Sequence, residues 1–75
     1  VIDMTDVVVI LFRRVRVNGV RRRIIRDVSI IGSAAPCTQF LMIGRRVGPA
    51  SRCLLNNGFQ RVLSRDNVLV FIRVR

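Results

Sequence analysis

The stretch Gly44-Arg45-Arg46-Val47-Gly48-Pro49-Ala50-Ser51-Arg52-Cys53-Leu54-Leu55-Asn56-Asn57-Gly58-Phe59 puts a basic segment with two glycines and a proline ahead of a short apolar run and an Asn-Gly pair. Gly44, Gly48 and Pro49 argue against regular structure, while Arg45, Arg46 and Arg52 carry the charge and Cys53, Leu54 and Leu55 return the chain to a core. Asn57-Gly58 is the strongest short-range hairpin signal, because both residues tolerate the positive φ of a two-residue type I′ turn. The reading is a basic loop followed by two strands, Arg52 to Leu55 and Phe59 to Leu63, and it sets the expected class as mainly β.

Downstream, Ser64-Arg65-Asp66-Asn67 reads as the next turn and Val68 to Arg75 as the cleanest strand. Val68, Val70, Ile72 and Val74 share one face; Leu69, Phe71, Arg73 and Arg75 share the other, which becomes basic toward the end. Immediately upstream, Cys37 to Ile43 reads as a strand whose two faces are both largely apolar, hence well covered.

Further upstream the signals conflict. Thr5 or Asp6 is placed to cap a helix starting at Val7, and Val8, Leu11, Phe12 and Val15 follow helical spacing. Val7-Val8-Val9-Ile10, however, is a β-branched run that prefers a strand. From Arg13 to Arg26 the chain holds Arg13, Arg14, Arg16, Arg21, Arg22, Arg23 and Arg26. Asn18-Gly19 offers a hairpin turn there, yet Arg21-Arg22-Arg23 would place cations on both faces of a strand. The segment is therefore expected to be an extended basic arm lying in phosphate, with no sequence readout of its own. Val28 to Pro36 reads as an extended connector that docks Ile30 or Ile31. Short strands and tight turns without a long amphipathic helix point to a small oligonucleotide-binding-type barrel or a related open sheet. The chain thus divides into residues 1–36, an N-terminal helix or strand plus basic arm, and residues 37–75, the β barrel.

The 75 residues allow one small core, which rarely contributes more than about 3–5 kcal/mol by itself. At 51% hydrophobic and a net charge of +10, the chain has apolar content to pack and needs an anionic partner. All 14 cations are Arg, whose planar fork donates two parallel hydrogen bonds to a phosphate; codon bias in a skewed or organellar genome is the other contributor. Cys37 and Cys53, without histidine, cannot make a four-ligand zinc site. They are expected to be buried free thiols in a reducing compartment, with a single disulfide as the alternative. The longest uncharged run, Val28 to Gly44, is too short and too polar for a membrane span, and no signal peptide is recognised. Opening on Val1 is consistent with removal of a residue or leader. Four Phe give no stacking platform for single-stranded RNA. With no His, Lys or Glu, and with Asp3, Asp6, Asp27 and Asp66 scattered among turns and charge runs, the chain is not expected to be an enzyme or to carry a cofactor.

Ala35-Pro36-Cys37-Thr38, then Arg45-Arg46 with Ala50 and Arg52, then Asn57-Gly58-Phe59, then Ile72-Arg73 follow in an order and rough spacing that resembles the universal small-subunit ribosomal protein S-twelve family. That family reads Gly-Val-Cys-Thr before a strand, Lys-Lys-Pro-Asn-Ser-Ala-Leu-Arg-Lys in a loop, Leu-Thr-Asn-Gly-Phe at a hairpin and Val-Leu-Ile-Arg in a later strand. Here Val47-Gly48-Pro49 stands where the family has Pro-Asn-Ser, and the family's second signature loop is reduced to Leu63 to Asn67. The resemblance implies a short N-terminal helix, a barrel, and a structural role in binding small-subunit rRNA near the decoding centre. It further implies neighbouring ribosomal proteins, tRNA and mRNA close by, and, given the shortening, a mitochondrial rather than cytoplasmic ribosome. The RNA-binding set would be Arg13, Arg14, Arg16, Arg21, Arg22, Arg23, Arg26, Arg45, Arg46, Arg52, Arg73 and Arg75.

Two other readings share the charge. One is a membrane-peripheral basic peptide that inserts Val7 to Phe12 and anchors Arg13 to Arg26 on anionic lipid, although the absent Trp and the Asn57-Gly58 turn count against it and no membrane is expected. The other is a free nucleic-acid-binding or capsid-like β domain.

Overall fold

The computed structural model describes residues 5–74. The chain runs β1 (Thr5–Val17), β2 (Val20–Ile31), a 3-10 turn (Thr38–Phe40), α1 (Val47–Asn56), β3 (Gln60–Arg65) and β4 (Val68–Val74). The strands form one open antiparallel sheet in the order β2-β1-β4-β3, so β1 pairs with strands from both halves of the chain. The fold is mainly β, as expected, and takes the open-sheet form rather than the closed barrel.

The β-branched preference of Val7-Val8-Val9-Ile10 prevails over the helical spacing, and alternation then sorts the strand. Val8, Ile10 and Phe12 are buried beneath α1, whereas Val7, Val9 and Leu11 lie on the other face and are half-exposed. Asn18 (φ 51) and Gly19 (φ 79) make the turn into β2, both in the left-handed region that a type I′ hairpin requires. Arg13 to Arg26 is therefore extended but paired, not a free arm. The concern about burying a cation dissolves because β4 accompanies β1 only as far as Leu11, opposite Val68, so the hairpin overhangs the core. A bulge between Leu11 and Phe12 leaves Arg26 as the extra residue of β2.

Three expectations between residues 28 and 58 are overturned. Ile30 and Ile31 stay exposed at the end of β2, and Ala34 and Cys37 dock instead. Cys37 to Ile43 is not a strand: Cys37 caps the 3-10 turn, Leu41 is buried, and Met42 and Ile43 face solvent. Gly44 to Phe59 is neither loop nor hairpin, because Val47–Asn56 is helical. Pro49 falls in the first helical turn, where its missing N–H is one the helix leaves unpaired anyway. Val47, Ala50 and Leu54 recur at helical spacing and are buried against the sheet. Gly58 (φ 89) ends the helix, with the Phe59 amide donating to the Leu54 carbonyl at 3.1 Å in a Schellman closure. Asn57-Gly58 thus uses its tolerance of positive φ to stop a helix. The hairpin turn lies at Asp66 (φ 48) and Asn67 (φ 68), as the Ser64 to Asn67 reading expected.

Cys37 and Cys53 form a disulfide with a Cα–Cα distance of 5.7 Å, correcting the free-thiol expectation. Once residues 47–56 are helical, Cys53 sits on the flank that faces Cys37, within the range a bridge requires. The case for a reducing compartment made from free thiols falls with it.

Candidate nucleic-acid interface

Beyond Leu11 the β1–β2 hairpin is a two-stranded ribbon, and its register decides where each arginine lies. Arg14 is opposite Arg23 and Arg16 is opposite Arg21, all on the α1 side of the sheet plane. Arg13, opposite Ile24, and Arg22, opposite Val15, lie on the other side. Arg14 and Arg23 flank Phe12 at the root of the ribbon, their guanidinium carbons 5.5 and 5.4 Å from the ring centroid, and Arg14 Nη1 donates to Asn67 Oδ1 at 2.6 Å. Arg16 and Arg21, farther out, have no such anchor among the described residues. The molecule measures 51 × 23 × 18 Å, the ribbon lying at one end of a sheet that is much shorter without it.

The segment before α1 brings more cations to the same end. The Ile25 amide donates to the Arg45 carbonyl at 2.8 Å and the Gly44 amide to the Ile25 carbonyl at 2.9 Å, with Ile24 and Arg46 forming an isolated antiparallel bridge. This short splint pairs part of the otherwise open β2 edge and fixes Arg46 beside Arg23. A cleft of about 260 Å³ between ribbon and helix is lined by Arg21, Arg22, Arg23, Arg46 and Arg52 with Gly48 and Pro49. A neighbouring cleft of about 370 Å³ is lined by Phe40, Gly44, Arg45, Arg46 and Pro49. The first turn of α1 holds no acid and borders both clefts, adding the partial positive charge of a helix N-terminus.

Nine of the expected RNA-binding arginines therefore gather at one end of the molecule: Arg13, Arg14, Arg16, Arg21, Arg22 and Arg23 on the ribbon, Arg45 and Arg46 on the segment splinted to it, and Arg52 on α1 where it lines the cleft. Arg26 is exposed at the bulge, lower on the same edge. Arg73 leaves the set, since its guanidinium turns inward to Asp6, to the Ser33, Ala35 and Asn57 carbonyls and over the Phe59 ring. Arg75 lies outside the described residues. Arg61 and Arg65, which are not in the expected set, are exposed on β3 at the sheet edge opposite β2, away from both clefts.

Phe12, Phe59 and Phe71 are buried and Phe40 is half-buried, so the interface offers charge and hydrogen-bond donors rather than stacking surfaces. Among the described residues no three His, Cys, Asp or Glu side chains gather where a metal ion could be held, and no helix is long and apolar enough to cross a membrane. Val7 to Phe12 gives Val8, Ile10 and Phe12 to the core and so is not free to insert as a unit.

No family model, curated protein or solved structure matches the chain. Motifs behind the S-twelve resemblance also stand in other settings than the family gives them. Cys37 precedes a 3-10 turn instead of a strand, Arg52 is helical, and Asn57-Gly58 closes a helix.

Proposed function

We propose that this chain is a structural RNA-binding protein that holds the phosphodiester backbone between its arginine ribbon and the arginine cleft beside α1. One observation carries the reading. Like charges directly opposed on a ladder destabilise a hairpin, yet Arg16 faces Arg21 next to Arg14 facing Arg23, with no acidic partner among the described residues. A polyanion lying along that face turns the repulsion into attraction, and guanidinium forks bind phosphate oxygens in pairs. The contacts are to backbone, so the expected binding is tight, salt-sensitive and weakly dependent on base sequence.

The sharper form of the proposal makes the RNA small-subunit rRNA near the decoding centre, in a mitochondrial ribosome. It rests on the order of the S-twelve-like motifs alone. The two forms are separable. Filter binding to a structured rRNA fragment across a potassium chloride series gives the slope of log affinity against log salt, which changes by roughly 0.7–0.9 for each phosphate that ceases to be neutralised. Replacing Arg14, Arg16, Arg21 and Arg23 with Ala should flatten that slope by about two to four; an unchanged slope would discard the ribbon as the interface. Co-sedimentation of a tagged copy with small subunits at high salt supports the ribosomal form. Recovery at the top of the gradient, with RNA binding intact, removes that form and leaves a free RNA-binding domain.

A further inference from the structure

Among the described residues nothing covers the sheet face turned away from α1, and its four-stranded part falls into three rows in the order β2, β1, β4, β3. They read Asp27-Leu11-Val68-Arg65, Ser29-Val9-Val70-Leu63 and Ile31-Val7-Ile72-Gln60. Within these three rows the two central columns are wholly aliphatic, and the charges are Asp27 at one corner and Arg65 at the adjacent corner of the same row; Arg13 and Arg22 continue the face onto the ribbon, past the last residue that β4 pairs.

We propose that this face binds a second copy of the chain, face to face, about a two-fold axis parallel to the strands. Charge complementarity selects both the partner and the axis. Rotation about that axis exchanges the left and right columns and preserves the rows, so Asp27 of each copy is set opposite Arg65 of the other while Leu11 meets Val68, Val9 meets Val70 and Val7 meets Ile72. A two-fold across the strands would instead set Asp27 against Ile31 and Arg65 against Gln60, leaving the charges without partners. Packed sheets lie about 10 Å apart, a gap that an arginine and an aspartate on opposing faces can span. Copies carrying +10 each are best brought together where their charges balance, and the four-stranded part of this face, with one acid and one base, meets that condition, while Arg13 and Arg22 lie beyond it on the ribbon. An anionic bilayer has no use for Asp27 and gains nothing from the row arrangement.

Four strands about 4.8 Å apart and three rows about 6.8 Å apart outline roughly 400 Å² on each copy, about 800 Å² in all. That lies below the ~1,200 Å² of stable interfaces, so the dimer should dissociate on dilution. Added salt should strengthen it, by screening the repulsion between two cationic chains more than it weakens two close ion pairs. The axis also sends both arginine ribbons out at the same end, giving one RNA two attachment points. The dimer does not depend on the proposed RNA function.

Sedimentation equilibrium of the disulfide-intact protein without nucleic acid, over a hundredfold concentration range, tests it. Asp27→Arg and Arg65→Asp each place like charges at two contacts and should weaken dimerisation at least tenfold. The double variant restores opposite charges and should return dimerisation to within about threefold of wild type. Both residues are exposed, and far-UV circular dichroism checks that each variant keeps its strands. A wild-type monomer at all concentrations, a dimer indifferent to the single reversals, or single losses that the double variant does not repair would each overturn the proposal. So would a monomer that floats with anionic vesicles.

Discussion

Asp6 and Arg73 face each other across the β1–β4 ladder and close a 2.9 Å ion pair in which Asp6 is fully buried and the arginine side chain is 15% exposed. Asp6 Oδ1 accepts from the Ser33 amide at 2.8 Å, and the arginine Nη atoms donate to the Ser33, Ala35 and Asn57 carbonyls at 3.1–3.2 Å. The pair thereby ties the start of β1 and the end of β4 to the connector after β2 and to the C-terminal end of α1. The guanidinium lies 4.4 Å from the centroid of Phe59, which closes the helix.

Arg73→Ala should leave most of the protein unfolded at 25 °C. Removing one partner of a buried pair costs about 3–5 kcal/mol because the other charge is stranded, and that is comparable to the whole stability expected of so small a core. Arg73→Lys should rescue little, since an ammonium cannot reach the acid and three carbonyls with a fork. Urea titration followed by circular dichroism measures both, and a near-wild-type midpoint in Arg73→Ala would refute the assignment.

Gly32→Ala should be far worse than Gly19→Ala. Both glycines have positive φ, 83° and 79°, but a Cβ at Gly32 would overlap Asp6 Oδ1 while one at Gly19 meets nothing. The turn glycine should therefore lose only the backbone term, about 1 kcal/mol, and the connector glycine several times that. Thermal melts of the two variants side by side make the comparison; equal losses would mean that the connector does not press against the ion pair.

Much of this arrangement was legible from residue pattern. The alternation from Val68 onward carries strand chemistry that the fold uses as read; the β-branched run at Val7 to Ile10 and the Asn18-Gly19 pair carry the right signals too, but helical spacing competes with the first and Arg21-Arg22-Arg23 argues against the second. The ambiguous stretches were those whose local signals serve two structures. Pro49 breaks a helix interior but suits its first turn, and Asn57-Gly58 serves a hairpin or a helix stop equally well; only the burial of Val47, Ala50 and Leu54 against the sheet decides between them.

The arginine cluster was visible as composition, whereas its geometry depended on register. Arg16 facing Arg21 follows from the two-residue Asn18-Gly19 turn once that hairpin forms, whereas nothing local tells that β4 will stop pairing at Leu11 and leave the ribbon free, or that Arg46 will be splinted to β2 beside Arg23. Arg73 shows the reverse case: its alternation in β4 is correct, but its partner Asp6 lies 67 residues away and carries no sequence signal.

Reducing the Cys37–Cys53 disulfide should destabilise the fold by about 3 kcal/mol, the entropic worth of a bridge closing a loop of 16 residues. The bridge joins the 3-10 turn to α1, so the element freed is the one that carries Arg46 and Arg52 into the cleft. Differential scanning calorimetry with and without a dithiol reductant, repeated on the Cys37→Ser, Cys53→Ser double variant, should give matching losses. A reductant-insensitive transition would show that packing alone holds the helix.

Replacing Arg16 and Arg21 with Thr separates what the ribbon does for folding from what it does for binding. In the free protein each side chain faces a like charge, and threonine pairs are favourable at opposed strand positions, so the double variant should gain a few tenths to about 1 kcal/mol in urea unfolding. The gain should shrink in high salt, which screens the repulsion being removed. RNA affinity should move the other way, with the log–log salt slope falling by about one to two as fewer phosphates are neutralised. A protein made more stable and a weaker binder by the same change locates the opposed arginines in the interface and not in the scaffold. If the variant is instead less stable with its salt slope unchanged, the pair braces the hairpin, and the phosphate backbone must be sought at Arg45, Arg46 and Arg52.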